Sequence, residues 1–253
     1  MEERYKNRLT TLINNEKWEM DQKLTYLKRY NKNVRILTID EISRLGDNEI
    51  PIEWRELFYN DDIKGRIDLL LNIWGRNVGT ELRNTISYLN KHLTNVEILD
   101  VEGAYSILYT IRNSKGDILY YEGCNPQKGQ KNIELEDAWD KIPASIRSFY
   151  ENVHDGFYYY ASESMGLVPL ELVTYLGDED IEWSIIDDLE EPIKINLDSS
   201  FGFFTNGMGS YVAIDYNNCI DNTATFWSAK LKPKYNIDFW GYVDEWIVIG
   251  FEA

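Results

Sequence analysis

Apolar residues recur at three- and four-residue spacings through the first ninety positions and at alternate positions through much of the remainder. Leu9, Leu12, Ile13, Trp18, Met20, Leu24, Tyr26 and Leu27, set among charges, predict a helix over residues 2–30, with Asn14-Asn15 as a candidate break. Val34–Ile39 is short and β-branched and predicts a strand or an extended connection. The turn residues Gly46-Asp47-Asn48 precede Pro51, which marks a helix start, and Ile52, Trp54, Leu57 and Phe58 fit a short helix after it. Ile67, Leu70, Leu71, Ile73, Trp74, Leu82, Ile86 and Leu89 predict a longer helix over 63–93, interrupted near Gly75 or Gly79.

The period then shortens to two. Tyr105, Ile107, Tyr109 and Ile111 alternate within 104–111, and 118–122 is a second β-rich run. The polar loop Asn113-Ser114-Lys115-Gly116-Asp117 between them predicts a hairpin. Residues 125–132, with Pro126 and Gly129, form a turn-rich break and the expected domain boundary. Beyond it the pattern predicts a helix over 134–153, broken or restarted at Pro143, and an aromatic strand at 157–161. Residues 168–174 form a short apolar segment, and strands are expected at 193–197, 201–204 and 211–216. Residues 223–227 and 239–242 are read as extending the sheet. The expected fold is α+β: a mixed or antiparallel sheet flanked by helices, with a mainly helical N-terminal region. Residues 1–130 form one unit, helical and ending in a β-hairpin, and 131–253 a second, α+β unit.

Composition supports a packed core and redirects attention to charge. Hydrophobic residues make up 43% of the 253 positions, with 8 Trp and 18 Tyr, which rules against wholesale disorder. No apolar run approaches the ~20 residues that span a bilayer, and the charged N-terminus lacks the apolar stretch of a secretory signal. The chain is therefore expected to be cytoplasmic, with Cys124 and Cys219 as free thiols. Two histidines are too few for most His-based metal or catalytic sites. The net charge of −17 is unevenly placed. Residues 1–100 carry 16 basic and 17 acidic side chains, whereas residues 151–200 hold one Lys and 13 acids. Such a field repels nucleic acid and attracts a basic macromolecule, although an acidic surface also serves solubility alone.

Four stretches in the second half resemble the SUKH superfamily of Knr/Smi-like domains. Ile142-Pro143-Ala144-Ser145-Ile146-Arg147-Ser148-Phe149-Tyr150 looks like that family's Leu/Ile-Pro helix, and Val153-His154-Asp155-Gly156-Phe157 like the Gly-rich turn after it, with His-Asp-Gly in place of Asn-Gly-Gly. Ser164 to Leu170 resembles the small-residue turn leading into a strand. Residues 203–215 resemble a Gly-rich turn feeding a strand that ends in an acid, and Val243-Asp244-Glu245-Trp246-Ile247 fits a C-terminal helix. The similarity covers slightly under half of the chain and does not extend to residues 1–130. Many bacterial members are immunity proteins, so the resemblance implies an immunity protein that binds and neutralises a cognate bacterial polymorphic toxin, basic and nuclease-type, by stoichiometric occlusion. The alternatives are a non-toxin scaffold or regulatory protein of the same type, and a carboxylate-dependent hydrolase.

Individual motifs give little support to catalysis. Asn206-Gly207-Met208-Gly209-Ser210 lacks the Lys-Ser/Thr of a phosphate loop and reads as a turn between strands. Asp215 ends a strand and suits a capping or turn role. His154 beside Asp155 is no triad, because triads are set by geometry and seldom by sequence adjacency, and no Gly-x-Ser-x-Gly elbow exists. No catalytic residue, cofactor or metal is expected, and neither nucleic acid nor membrane is expected as a partner. The acidic run Asp178, Glu179, Asp180, Glu182, Asp187, Asp188, Glu190 and Glu191 lacks the EF-hand register. With Trp183 inside it, and with Tyr158 and Tyr160 expected on an exposed strand face, it forms the expected partner-binding surface, while a solvated loop is the plain alternative. Lys230, Lys232 and Lys234 read as an exposed edge that blunts strand pairing.

Overall fold

The computed structural model describes residues 18–253. The expected helical turns around Leu9, Leu12 and Ile13, and the candidate break at Asn14-Asn15, lie outside the described residues. Helix α1 covers 18–27. After it come β1 (Val34–Ile36), α2 (Ile39–Ile42), α3 (Ile52–Phe58), α4 (Ile63–Val78) and α5 (Arg83–His92). The long helical pattern over 63–93 is thus two helices, parted at Gly79. Strands β2 (Leu93–Val101), β3 (Ala104–Arg112) and β4 (Ile118–Cys124) follow, then α6 (Ile133–Ala138) and α7 (Ala144–Asn152), with a 3-10 turn before Pro143. The remainder is β5 (Phe157–Tyr159), β6 (Ser164–Leu167), β7 (Thr174–Tyr175), β8 (Ser200–Thr205), β9 (Ser210–Asp215), β10 (Thr223–Ser228), β11 (Lys234–Asp238) and α8 (Phe239–Phe251).

The strands form one antiparallel sheet in the order β1-β2-β3-β4-β5-β6-β8-β9-β10-β11, with β7 added to β8. The fold is α+β, with helices flanking this large sheet. Its hairpins explain themselves locally. Between β2 and β3 the two residues Glu102 and Gly103 both take positive φ, 54° and 89°, which matches the right-handed twist of paired strands. Asp100 Oδ1 accepts from the Gly103 N–H at 2.8 Å. Between β3 and β4, Asn113 Oδ1 accepts from the N–H of Lys115 and of Asp117.

Helices α3, α4, α5, α7 and α8 cover one face of the sheet, called here the inner face. One hydrophobic cluster fills the space between, including Trp54, Trp74, Ile107, Tyr109, Phe149, Phe157, Phe203, Ile214, Val243 and Phe251. Members of this cluster come from both sides of residue 130, and β4 pairs with β5, Tyr121 opposite Tyr159. Residues 125–132 are therefore a loop across which sheet and core are continuous. Their turn chemistry is real but serves to lead the chain into α6: Asn132 Oδ1 accepts from Leu135 N–H at the helix start.

The outer face is covered too. Over β1–β5 lies α1, with Leu27 buried against Val34, Leu99, Leu108 and Tyr160 and Lys23 paired with Glu97 at 2.6 Å. Over β8–β10 runs the segment between β7 and β8, residues 176–199, a strap without strands whose Leu176, Trp183 and Ile185 pack on Ala213 and Trp227.

Two expected strands are corrected. Residues 193–197 do not pair. Ile193, Ile195 and Leu197 still alternate inward, because the strap lies on the sheet's face and satisfies period two by packing instead of by a ladder. Residues 239–242 begin α8, whose first turn is capped by Asp238 Oδ1 accepting from Gly241 N–H at 2.5 Å. The C-terminal stretch 243–247 is helical, as expected. Lys234 opens β11, an edge strand, and Lys230, Lys232 and Lys234 are exposed.

Candidate functional site

The strap brings the acids together. Asp178, Glu179, Asp180, Glu182, Asp187, Asp188, Glu190 and Glu191 are all exposed. Its geometry is that of an amphipathic ribbon: apolar side chains turn down onto β9 and β10, so the charged ones between them turn up. Trp183 is only 9% exposed; its indole N–H donates to Leu176 O at 2.8 Å and its ring meets Trp227 edge-on at 5.7 Å. Burying Trp183 and Ile185 contributes roughly 2–3 kcal/mol each, which holds the ribbon down without a ladder. Asp178 Oδ1 accepts from Asp180 N–H, tightening the first turn.

Cations balance only one end. Lys194 pairs with Glu191 at 3.2 Å, and Lys194 and Lys232 line a cavity of about 200 Å³ with Glu190 and Glu191. Among the described residues, no Lys or Arg lies within salt-bridge distance of Asp178, Glu179, Asp180, Glu182, Asp187 or Asp188. Those six leave a strip of uncompensated negative potential.

The aromatic residues expected as anchors are elsewhere. Tyr158 and Tyr160 do share one strand face, but both are buried, and Trp183 faces inward. Tyr158 OH donates to Glu122 Oε2 at 3.3 Å and lies 3.2 Å from Cys124 Sγ. Tyr160 OH donates to Leu27 O at 3.4 Å, beneath α1. Burial raises the pKa of both phenols, and of Glu122 despite its hydrogen bonds from Ser106 and Tyr158. The exposed apolar side chains beside the strap are instead Ile186, Met208 and Leu231, at 38%, 79% and 56%. Met208 and Leu231 carried no sequence signal, since an apolar residue inside a turn has no period to betray it.

Other titratable groups are occupied by the fold. His154 is fully buried on the inner face, where the Trp74 indole N–H donates to Tyr109 OH at 3.0 Å and Tyr109 OH lies 2.5 Å from His154 Nε2. A carbonyl only accepts, so Cys124 O, 3.3 Å from Nδ1, fixes the neutral ring's proton on Nδ1, and Nε2 accepts from Tyr109 OH. Burial holds the imidazole neutral and pushes its pKa down to about 3. Asp155 does not contact that ring; its Oδ1 accepts from Leu170 N–H at 2.8 Å, and burial raises it to about 6. For Asp215, burial pushes the pKa up, but hydrogen bonds from Asn196, Ser199, Asn217 and Asn218 outweigh it and hold the carboxyl low. That is the turn role expected of it. Asn206–Gly209 is the β8–β9 hairpin turn, with Gly207 and Gly209 at positive φ.

The larger cavities lie among the helices. One of about 620 Å³ lies between α4 and α5, and one of about 360 Å³ brings Glu53 and Glu151 near Arg76. Glu151 there accepts from the Trp139 indole N–H at 2.8 Å. Among the described residues, no three His, Cys, Asp or Glu side chains gather as metal ligands, and no helix is long and apolar enough to cross a membrane. The chain matches no protein-family model, no curated protein and no solved structure.

Proposed function

We propose that this chain is a cytoplasmic immunity protein that binds a cationic toxin and occludes the basic surface with which a nuclease grips phosphate. The observation that carries the reading is the strap: six exposed acids with no cationic partner among the described residues, fixed to the sheet by an apolar underside. Fixed charges need no reordering when a partner arrives, so their attraction is not spent on folding a loop. The resemblance of residues 142–247 to Knr/Smi-like domains points the same way. Binding alone suffices for neutralisation, and no residue is assigned a catalytic role.

The test is protection. Cells expressing a candidate basic toxin from a gene adjacent to the one for this chain should survive when the chain is co-expressed. Death as fast as with an empty vector removes the reading. Survival that persists when Asp178, Glu179, Asp180, Glu182, Asp187 and Asp188 are all changed to Lys removes the strap from it.

A further inference from the structure

Resting on that reading, we propose that Ile186, Met208 and Leu231 form the apolar centre of the docking surface, and that its occupant is a protein with an apolar contact ringed by cationic side chains. The three come from separate loops: the strap, the β8–β9 hairpin turn and the link from β10 to β11. Those loops are fastened together at Ala229. Its carbonyl accepts from Ser184 Oγ at 3.0 Å, and its N–H donates to Gly209 O at 3.4 Å. Each anchor lies within two residues of this junction's own members, which places all three on loops at the same end of the sheet.

Single exposed apolar residues are ordinary; several on loops bound into one platform mark an interaction site. Charge complementarity chooses the occupant. On the strap side the platform is bordered by Glu182, Asp187 and Asp188, exposed and without a cation in salt-bridge range among the described residues. Lys232, on the Leu231 side, shares a cavity with Glu190 and Glu191, so its charge is met by the far end of the strap. Lys230, exposed between Ala229 and Leu231, adds one cation on that side, and the rim is anionic along the strap. It repels phosphate-bearing nucleic acid and anionic lipid and favours a basic protein. An apolar centre inside a charged rim divides the work: the rim sets the rate of encounter and the centre sets how long the complex lasts.

The experiment uses the full chain with a photo-crosslinking phenylalanine analogue at position 208, 231 or 220. Ile220 is 72% exposed but lies in the β9–β10 loop, away from the platform. Positions 208 and 231 should trap the same basic protein and position 220 should not. That protein, purified, is then titrated against two variants. Ile186→Ser with Met208→Ser and Leu231→Ser should raise Kd at least 30-fold, through faster dissociation, at low and high salt alike. Glu182→Gln with Asp187→Asn and Asp188→Asn should raise Kd at low salt only, through slower association. The three apolar side chains are exposed, so their replacement leaves the core intact. Trapping from 220 as strong as from 208, no trapping at all, or a change in Kd under threefold for the apolar variant overturns the platform. If the acid variant alone abolishes binding, the platform fails while the electrostatic reading survives. If neither variant alters binding, both fail.

Discussion

At the residue scale the sharpest feature is a pair of neighbours with opposite responses to pH. His154 is buried neutral, with its pKa near 3 against an ordinary value of 6.5. The stability this lends is present above pH 6.5 and is lost as pH falls towards 3. Asp155 is buried with its pKa raised from 3.8 to about 6. Its contribution runs the other way: full below pH 3.8 and lost as pH rises through 6. Between pH 4 and 6 the two oppose each other, each at up to about 1.4 kcal/mol per pH unit. Asp155→Asn removes one side. Measured by urea unfolding, that variant should fare worse relative to wild type at pH 4 than at pH 7, by about 3 kcal/mol. Parallel curves would show that Asp155 ionises normally. The imidazole also dictates its neighbour. A Cβ on Gly123 would lie 2.6 Å from the His154 ring, so Gly123→Ala must displace it from Tyr109 and cost about 2–3 kcal/mol in denaturant titration. A loss below about 0.5 kcal/mol would mean that the ring moves freely.

At the scale of elements, helix α5 is capped from a distance. Its own N-cap residue, Leu82, offers no side-chain acceptor. Asp244 on α8, only 3% exposed, accepts from the N–H groups of Asn84 at 3.0 Å and Thr85 at 2.7 Å. One carboxylate thus satisfies two orphan donors and joins two helices separated in sequence by strands β2 to β11. Asp244→Ala should cost about 2–4 kcal/mol, and Asp244→Asn, which keeps one acceptor, about half of that. Equal losses for the two would show that the cap is not the cause. No local pattern could reveal this contact, which belongs to the tertiary fold. Other elements were legible. The alternation of Ile107, Tyr109 and Ile111 gave β3 its inner face, and Gly79 parts α4 from α5. Tyr158 and Tyr160 fail for a specific reason. Period two places them on one face correctly, but that face is buried: Tyr160 lies under α1, and Tyr158 is buried beside Glu122 and Cys124. Trp183 fails likewise, because a strap can be amphipathic without being a strand. The strand 93–101 shows no alternation in sequence because both of its faces are buried over most of its length.

At the scale of the whole molecule, the order of strands in space nearly repeats their order in sequence, β1 at one edge and β11 at the other. A charge gradient along the chain therefore becomes a gradient across the protein. Of the near-neutral first hundred residues, β1 and β2 form one edge of the sheet, and the acids of 178–191 lie over β9 and β10 near the other. A cationic partner approaching such a body is turned before contact, because the potential differs in strength between its two ends. Orientation is the step that ordinarily holds association rates far below the diffusion limit. The Debye length shrinks from about 30 Å at 0.01 M salt to about 3 Å at 1 M. Association with a basic protein partner should accordingly slow by at least tenfold between 0.02 M and 0.5 M NaCl in stopped-flow mixing, with dissociation nearly unchanged. Replacing the six unpaired strap acids by their amides should flatten that dependence and lower the low-salt rate to the high-salt value. If the wild-type rate were indifferent to salt, the strap would be a solvated cover for β9 and β10. Its eight acids would then serve solubility, and the grip on any partner would have to come from uncharged surface alone.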